Sequence, residues 1–249
     1  MLNQIPLAIL ACLRSYRCGT EMKFGKRISN ITEINTDLSG IKEITSKFGD
    51  IKYMKEEQAL VLHEIINKYD LVDLLELGFF QGKSSIYMGA IMKARGKGHL
   101  TTIDLEVART KSPSILQLIE QTGYKDLITP IFAHRSYTWE LAQMIKKSRK
   151  PIFDFCYLDG GHTFDVTALG VSLLSILMKP GGILILDDLN WSIAKSPHCK
   201  EHPEQAEIYS ADEQSAMGVR MVWEEVLPKF GFKQIKEIKE FSWGLAQKL

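Results

Sequence analysis

The chain has 249 residues, of which 45% are apolar and 24% charged, with 31 Lys and Arg against 30 Asp and Glu. Those proportions belong to a folded globular protein and exclude a disordered, collagen-like or coiled-coil chain. A formal net charge of +1 supplies no global field with which to hold a polyanion, so nucleic acid is not the expected substrate.

At this length folding buries about 70–75% of the extended chain's surface, enough for a core without staples. The four cysteines, Cys12, Cys18, Cys156 and Cys199, show no paired spacing, which suits a reducing cytoplasm. The apolar stretch from Ile5 to Leu13 is broken by Pro6, has no basic residue before it and falls short of the roughly 20 residues of a membrane span. Neither a signal peptide nor a span is expected. Residues 1–52 carry no strong period and include the polar run Ser29–Gly40. They are expected to form a loosely organised cap or lid with a short helix near its start, ahead of a main domain over residues 53–249.

From Lys55 to Tyr69, Leu62, Ile65, Ile66 and Tyr69 recur at helical spacing and predict an amphipathic helix. Apolar runs of strand length follow at Val72–Leu77, His99–Asp104, Leu127–Ala133, Phe153–Asp159 and Ile183–Asp187. Between them, Ser84–Ala94 (Ile86, Ala90 and Ala94 on one face), Ser112–Thr122, Tyr137–Lys147 and Asp165–Met178 are long enough for crossover helices. This alternation predicts βαβ units, hence a doubly wound α/β fold with a mostly parallel sheet. Leu189–Ala211 reads as one long irregular loop and Asp212–Lys229 as a helix. Phe232–Ile238 and Phe241–Gln247 are too close for a crossover and should pair antiparallel.

The first strand runs into Glu76-Leu-Gly78-Phe-Phe-Gln-Gly82-Lys-Ser-Ser85. Gly78 allows a tight turn off the strand and Gly82 a close approach at the helix start, the form of a cofactor turn at a helix N-terminus. A dinucleotide fingerprint needs glycine at position 80, where Phe80 stands, so a pyrophosphate is poorly served; two glycines that merely pack helix on sheet are the plain alternative. Asp104 ends the second strand 22 residues beyond Gly82, the spacing at which a carboxylate takes the hydroxyls of a ribose, with a helix N-cap as its plain alternative. Asp159, Asp187 and Asp188 end neighbouring strands at the carboxyl edge, where open α/β sheets bind ligands. Such carboxylates repel unless a cation sits between them, and an oxygen-only set suits Mg²⁺. A metal-free site in which Asp188 caps a loop and Asp159 orders the site is the alternative. His162, three residues past Asp159, is the candidate general base, against a helix-capping role.

In this order, Glu76-x-Gly78-x-x-x-Gly82, Asp104, Leu158-Asp159-Gly-Gly-His162 and Lys179-Pro-Gly-Gly182 through Asp187-Asp188 resemble the class I S-adenosylmethionine-dependent methyltransferases over about residues 55–249. Within that class the chain is similar to the small-molecule O-methyltransferases, including the macrocin, cephamycin-pathway and catechol or caffeoyl-CoA branches. The resemblance implies a seven-stranded sheet with a reversed strand near its end, and Glu76 beside the methionine amino group. It places Gly78, Phe79, Gly82 and Ser84 along the cofactor, Asp104 with Leu105 at the ribose, Ser136 by the adenine, and Asp159 touching cofactor and metal. It implies transfer to a hydroxyl of a small molecule, with Asp159, Asp187 and Asp188 holding Mg²⁺ and His162 with Asp159 serving catalysis. His134 and Arg135 depart from the family's Gly-Asp or Gly-Asn before Ser136, and Gly161 from an acid common there. The catechol-type branch carries Asn where Asp188 stands.

Other features read more plainly. His198, Cys199 and His202 supply soft donors without a fourth partner. Trp191 could wall the acceptor pocket, while Trp139 and Trp243 read as packing, and Lys146, Lys147, Arg149 and Lys150 as a solvated helix end. A nicotinamide-dependent oxidoreductase would need the complete glycine fingerprint and no closing hairpin; a cofactor-binding scaffold would show disrupted strand-end carboxylates. The sequence leaves open the acceptor's identity and whether the chain forms a homo-oligomer. Leu189–Ala211 and residues 1–52 are the expected lid and acceptor wall.

Overall fold

The computed structural model describes residues 37–249; the expected N-terminal helix, the Ile5–Leu13 stretch, Cys12 and Cys18 lie outside them. Seven strands form one sheet in the order β3-β2-β1-β4-β5-β7-β6. They are β1 (Asp73–Leu77), β2 (His99–Leu105), β3 (Ile128–Ala133), β4 (Phe153–Leu158), β5 (Met178–Leu186), β6 (Phe232–Ile238) and β7 (Trp243–Lys248). Strands β1 to β5 pair in parallel, while β7 lies antiparallel to both β5 and β6, so six strands point one way and β7 the other. The helices are α1 (Ser39–Phe48), α2 (Glu56–Lys68), α3 (Lys83–Arg95), α4 (Ile115–Thr122), α5 (Tyr137–Lys147) and α6 (Phe164–Leu177), followed by the short α7 (Pro197–Glu201), α8 (Ala211–Ser215) and α9 (Gly218–Met221).

The pleat divides each strand between two faces. Leu75, Leu77, Leu158 and Leu186 join Leu141 of α5, Leu174 of α6 and Trp223 in one core. Leu74 and Glu76 face the other way, where α1 to α4 gather. There α3 is buried over its whole first stretch, Lys83–Met92, and not only along the Ile86–Ala90 side that periodicity indicates. The cause is α1, which the polar composition before residue 52 conceals. Ile41, Ile44 and Phe48 of α1 are buried, a Cβ on Gly40 would stand 3.1 Å from the Ala90 Cβ, and Thr45 Oγ1 meets the Tyr87 hydroxyl at 2.9 Å. Helix α1 belongs to the same unit as the sheet, which runs from Ile34 to Leu249.

Three local expectations are corrected. Strand β5 begins at Met178, five residues early, because Met178 pairs with Phe153 across an irregular step before regular pairing resumes at Ile183. The Leu189–Ala211 stretch is organised: a 3₁₀ turn at Ile193–Lys195, α7 and a second 3₁₀ turn at Pro203–Gln205, with Ser196 accepting from the Cys199 amide and Pro197 in the first turn of α7. Asp212–Lys229 is not one helix. It breaks after α8, resumes at Gly218, widens to a π turn at Val222–Val226 and tightens to 3₁₀ at Leu227–Phe230, where Pro228 removes a donor. Arg220 in α9 clasps this region, reaching Asn190 Oδ1 at 2.9 Å and both carboxylate oxygens of Glu237 on β6 at 3.2 Å. Among the described residues, no helix is long and apolar enough to cross a membrane.

Candidate active site

Glu76 lies at the penultimate position of β1, wholly buried. Its Oε2 accepts hydrogen bonds from Ser85 and from Thr102 Oγ1 (2.6 Å), whereas Oε1 has no partner. Burial, opposed by these hydroxyls, pushes its carboxyl up to about 7. A buried oxygen without a donor is suited to an arriving ammonium, which would restore the charged form. Beyond Glu76 the chain turns at Gly78 (φ +96°), where a Cβ would stand 2.4 Å from the Asp159 carbonyl oxygen. Only glycine lets the β1 and β4 loops touch through bare backbone. Gly82 (φ +97°) precedes α3, and a Cβ there would stand 2.6 Å from Ile115 Cγ1, so the close neighbour is α4. The packing alternative thus describes Gly82's own surroundings.

Asp104 is not a helix cap. Its Oδ2 accepts from the amides of Phe79 (2.8 Å) and Phe80 (2.5 Å) and its Oδ1 from the amide of Leu105 (2.6 Å), so the carboxylate splints the glycine turn and fixes Phe80 at φ +51°. Gly78, Phe79, Ser84 and Asp104 line one end of a cleft of about 470 Å³ whose other end is Asp159, His162 and Asp188. Ligand atoms of those last three residues lie within 4.8 Å of one another, with His162 Nε2 3.6 Å from Asp188 Oδ2.

This trio differs from the expected three carboxylates. Asp187 is buried and turned to other partners: its Oδ2 accepts from the Tyr157 hydroxyl, and its Oδ1 from the Asp188 amide at 2.6 Å. Asp188 takes a left-handed turn (φ +58°). Asp187 still lines a neighbouring cavity together with Asp159 and Asp188, bridged to Asp159 through the Tyr157 hydroxyl (3.4 Å), while His162 joins Asp159 and Asp188 at the cleft. Burial and the charges of Asp187 and Asp188 hold the Asp159 carboxyl well above its ordinary value; burial pushes Asp187 up to about 7. Burial also holds the His162 imidazole below its ordinary value, against the pull of Asp188, so the ring is neutral and able to accept a proton at neutral pH.

Residues 75–189 match a family model described as a methyltransferase domain. The match takes in 115 of the 249 residues, from β1 to just past β5. No curated protein matches the sequence. Solved structures share the fold of this chain at low identity. A protein assigned as a caffeoyl-CoA O-methyltransferase from Staphylococcus aureus is 13% identical, covering 86% of this chain and 93% of its own, with a TM-score of 0.60. The O-methyltransferase from Bacillus cereus, bound to S-adenosylhomocysteine, is 16% identical over 84% and 91% of the two chains, with a TM-score of 0.57. The mycinamycin-pathway enzyme MycE, bound to Mg, S-adenosylhomocysteine and mycinamycin VI, is 13% identical over 84% and 54%, with a TM-score of 0.52.

Not every expected contact reaches the cleft. Ser136 caps α5, its Oγ accepting from the Thr138 amide at 3.2 Å, and lines a separate groove beside Trp139. Leu105 is 39% exposed and outside the cleft lining. Conversely, the cleft uses residues that spacing does not single out. Lys83, at the start of α3, is buried and donates to the carbonyls of Gly49 (3.1 Å) and Ile51 (2.8 Å), tying the segment before α2 to the glycine turn. A lysine opening an otherwise apolar helix, against the positive end of the helix dipole, was the available signal. Tyr53 and Met54 also line the cleft, Tyr53 meeting the Phe80 ring edge-on at 5.2 Å; no sequence signal marks them. Trp191 lines the cleft as expected and lies 5.3 Å from the His162 ring. His198 and His202 face each other at 4.7 Å, outside the metal-competent group found among the described residues.

Proposed function

We propose that this protein transfers a methyl group from S-adenosylmethionine to a hydroxyl oxygen of a small molecule, with a divalent cation, Mg²⁺ in the first instance, at the acceptor. The observation that carries this reading is a single cleft with the Gly78–Ser84 turn, two residues beyond the buried Glu76, at one end and Asp159, His162 and Asp188 at the other. The orphaned Oε1 of Glu76 suits the cofactor's amino group, and the backbone of the glycine turn suits close approach along its length. Bound there, the cofactor supplies a methyl on a sulfonium, so the chain's task is alignment, exclusion of water and removal of one proton. Asp159 and Asp188 would hold the cation, two carboxylates whose mutual repulsion it relieves. It would supply positive charge next to the acceptor oxygen and so lower the hydroxyl's pKa. His162 takes the proton on its neutral ring, and Trp191 closes that end against water.

Isothermal titration with S-adenosylhomocysteine, with Mg²⁺ and with a chelator, tests the reading. Binding in the micromolar range in both, followed by Mg²⁺-dependent transfer of labelled methyl to a hydroxyl compound, is the expected result. No binding in either sinks it.

A further inference from the structure

His162 and Trp191 line not only the cofactor cleft but also a second cavity of about 190 Å³. Its remaining wall comes from α6, from the Tyr209 turn and from α8 and α9. Phe164 and Tyr209 add two rings to that of Trp191, and Asp165, Asp212 and Glu213 add three carboxylates; no lysine or arginine lines it. Glu213 Oε2 accepts from the Ser210 amide (2.9 Å) and hydroxyl (2.5 Å), and hydrogen bonds from Ser210 hold Asp212 and Glu213 below the usual carboxylate range. Capping explains one oxygen of Glu213, and a neutral glutamine would cap as well. Asp165 opens α6 and Asp212 and Glu213 open α8, exposed first-turn positions that favour acids; what the three share is the aromatic cavity they ring, with no lysine or arginine in its lining.

We propose that this cavity is the acceptor's specificity pocket and takes an organic cation, the ammonium end of a short arm on the molecule whose hydroxyl lies at Asp159 and His162. This rests on the methyl-transfer reading above. Ring faces and carboxylates both attract an ammonium, and the same carboxylates repel an acidic acceptor. The volume of about 190 Å³ admits an arm of a few heavy atoms. Because of that repulsion, an acyl thioester of an anionic carrier is a poor acceptor here.

The test uses the full chain, with and without saturating S-adenosylhomocysteine, and a matched pair of probes: tyramine and 3-(4-hydroxyphenyl)propionate, the same ring with arms of opposite charge. Titration calorimetry is expected to show tyramine binding at least tenfold tighter, with the gap collapsing in the variant Asp165→Asn/Asp212→Asn/Glu213→Gln. Should that variant fail to fold, raising salt from 50 to 500 mM on the unaltered chain is expected to narrow the gap several-fold, because the attraction is electrostatic. Equal or reversed affinity, binding by neither probe, or a preference that survives both the substitutions and the salt overturns the pocket. If S-adenosylhomocysteine fails to bind while tyramine is still preferred, the transferase reading falls and the cation pocket stands. If it binds and the preference is absent, the reverse holds.

Discussion

Glu76 couples stability to function through one carboxyl. It titrates at about 7 in the fold against 4.5 for an unperturbed side chain, so between those values the folded state holds a proton that the unfolded state has lost. Stability from this group is fully present below pH 4.5, falls as pH rises through 7 and is flat above it. Glu76→Gln is expected to flatten that slope, raising the unfolding midpoint at pH 8 by about 2–4 °C while weakening S-adenosylhomocysteine at least tenfold. Scanning calorimetry at pH 5 and pH 8 and one titration check both; a midpoint at pH 8 no higher than the parent's contradicts the account. At Gly78 the expectation runs the other way. Gly78→Ala combines a left-handed backbone with a Cβ 2.4 Å from a carbonyl oxygen that cannot rotate aside, so a loss of about 2–4 kcal/mol should appear in urea unfolding. At this scale the sequence was legible where a residue's type constrains its place: Gly78 and Asp159 line one cleft, and Glu76 lies buried in β1 two residues before Gly78. Asp187 and Asp188 are chemically identical in a string of letters, and only the +58° turn at Asp188 separates the buried one from the one at His162.

Between elements, the tightest joints involve side chains that spacing hides. Gly82 meets Ile115 first at Cγ1, where Gly78 meets backbone, so Gly82→Ala should be partly rescued by Ile115→Ala, which removes that atom, whereas no side-chain change should rescue Gly78→Ala. A rescue of less than about 0.5 kcal/mol in the double-mutant cycle would refute the assigned contact. Lys83 holds the Gly49–Ile51 turn by two hydrogen bonds. Lys83→Met keeps the buried stem and removes the donors, and hydrogen exchange over residues 49–54 should quicken at least tenfold while α3 remains protected. Element positions from β1 to α6 were readable within a few residues, because apolar runs and 3.6-residue periods report burial directly. The segment from Leu189 to Phe230 was not, since short capped turns carry too few residues to show a period, and Arg220 fastens it by polar bonds that leave no hydrophobic pattern.

Across the whole molecule, the reversed β7 is the one strand whose neighbours are both antiparallel, and Trp243 at its start is fully buried against Tyr157 (5.5 Å) and Phe241 (5.2 Å). Trp243→Ala should cost about 3–5 kcal/mol and disturb Asp187 through Tyr157, a loss measurable in guanidinium unfolding. The architecture was legible because five apolar runs joined by crossover-length segments admit few topologies. The cleft's second wall was not, because Lys52, Tyr53 and Met54 reach it through tertiary contact alone. The backbone-to-backbone meeting of Gly78 with Asp159 also has a meaning for anyone who would redesign this molecule. A joint made without side chains offers nothing to substitute, so the donor end is frozen and any variant there is a casualty. The proposed acceptor pocket stands on α6 and the short turns after β5, where side chains face the cavity from polar-fastened segments. A library aimed at a new acceptor belongs at Phe164, Tyr209 and Asp212, and one spread evenly over the cleft would spend about a third of its positions on the glycine turn.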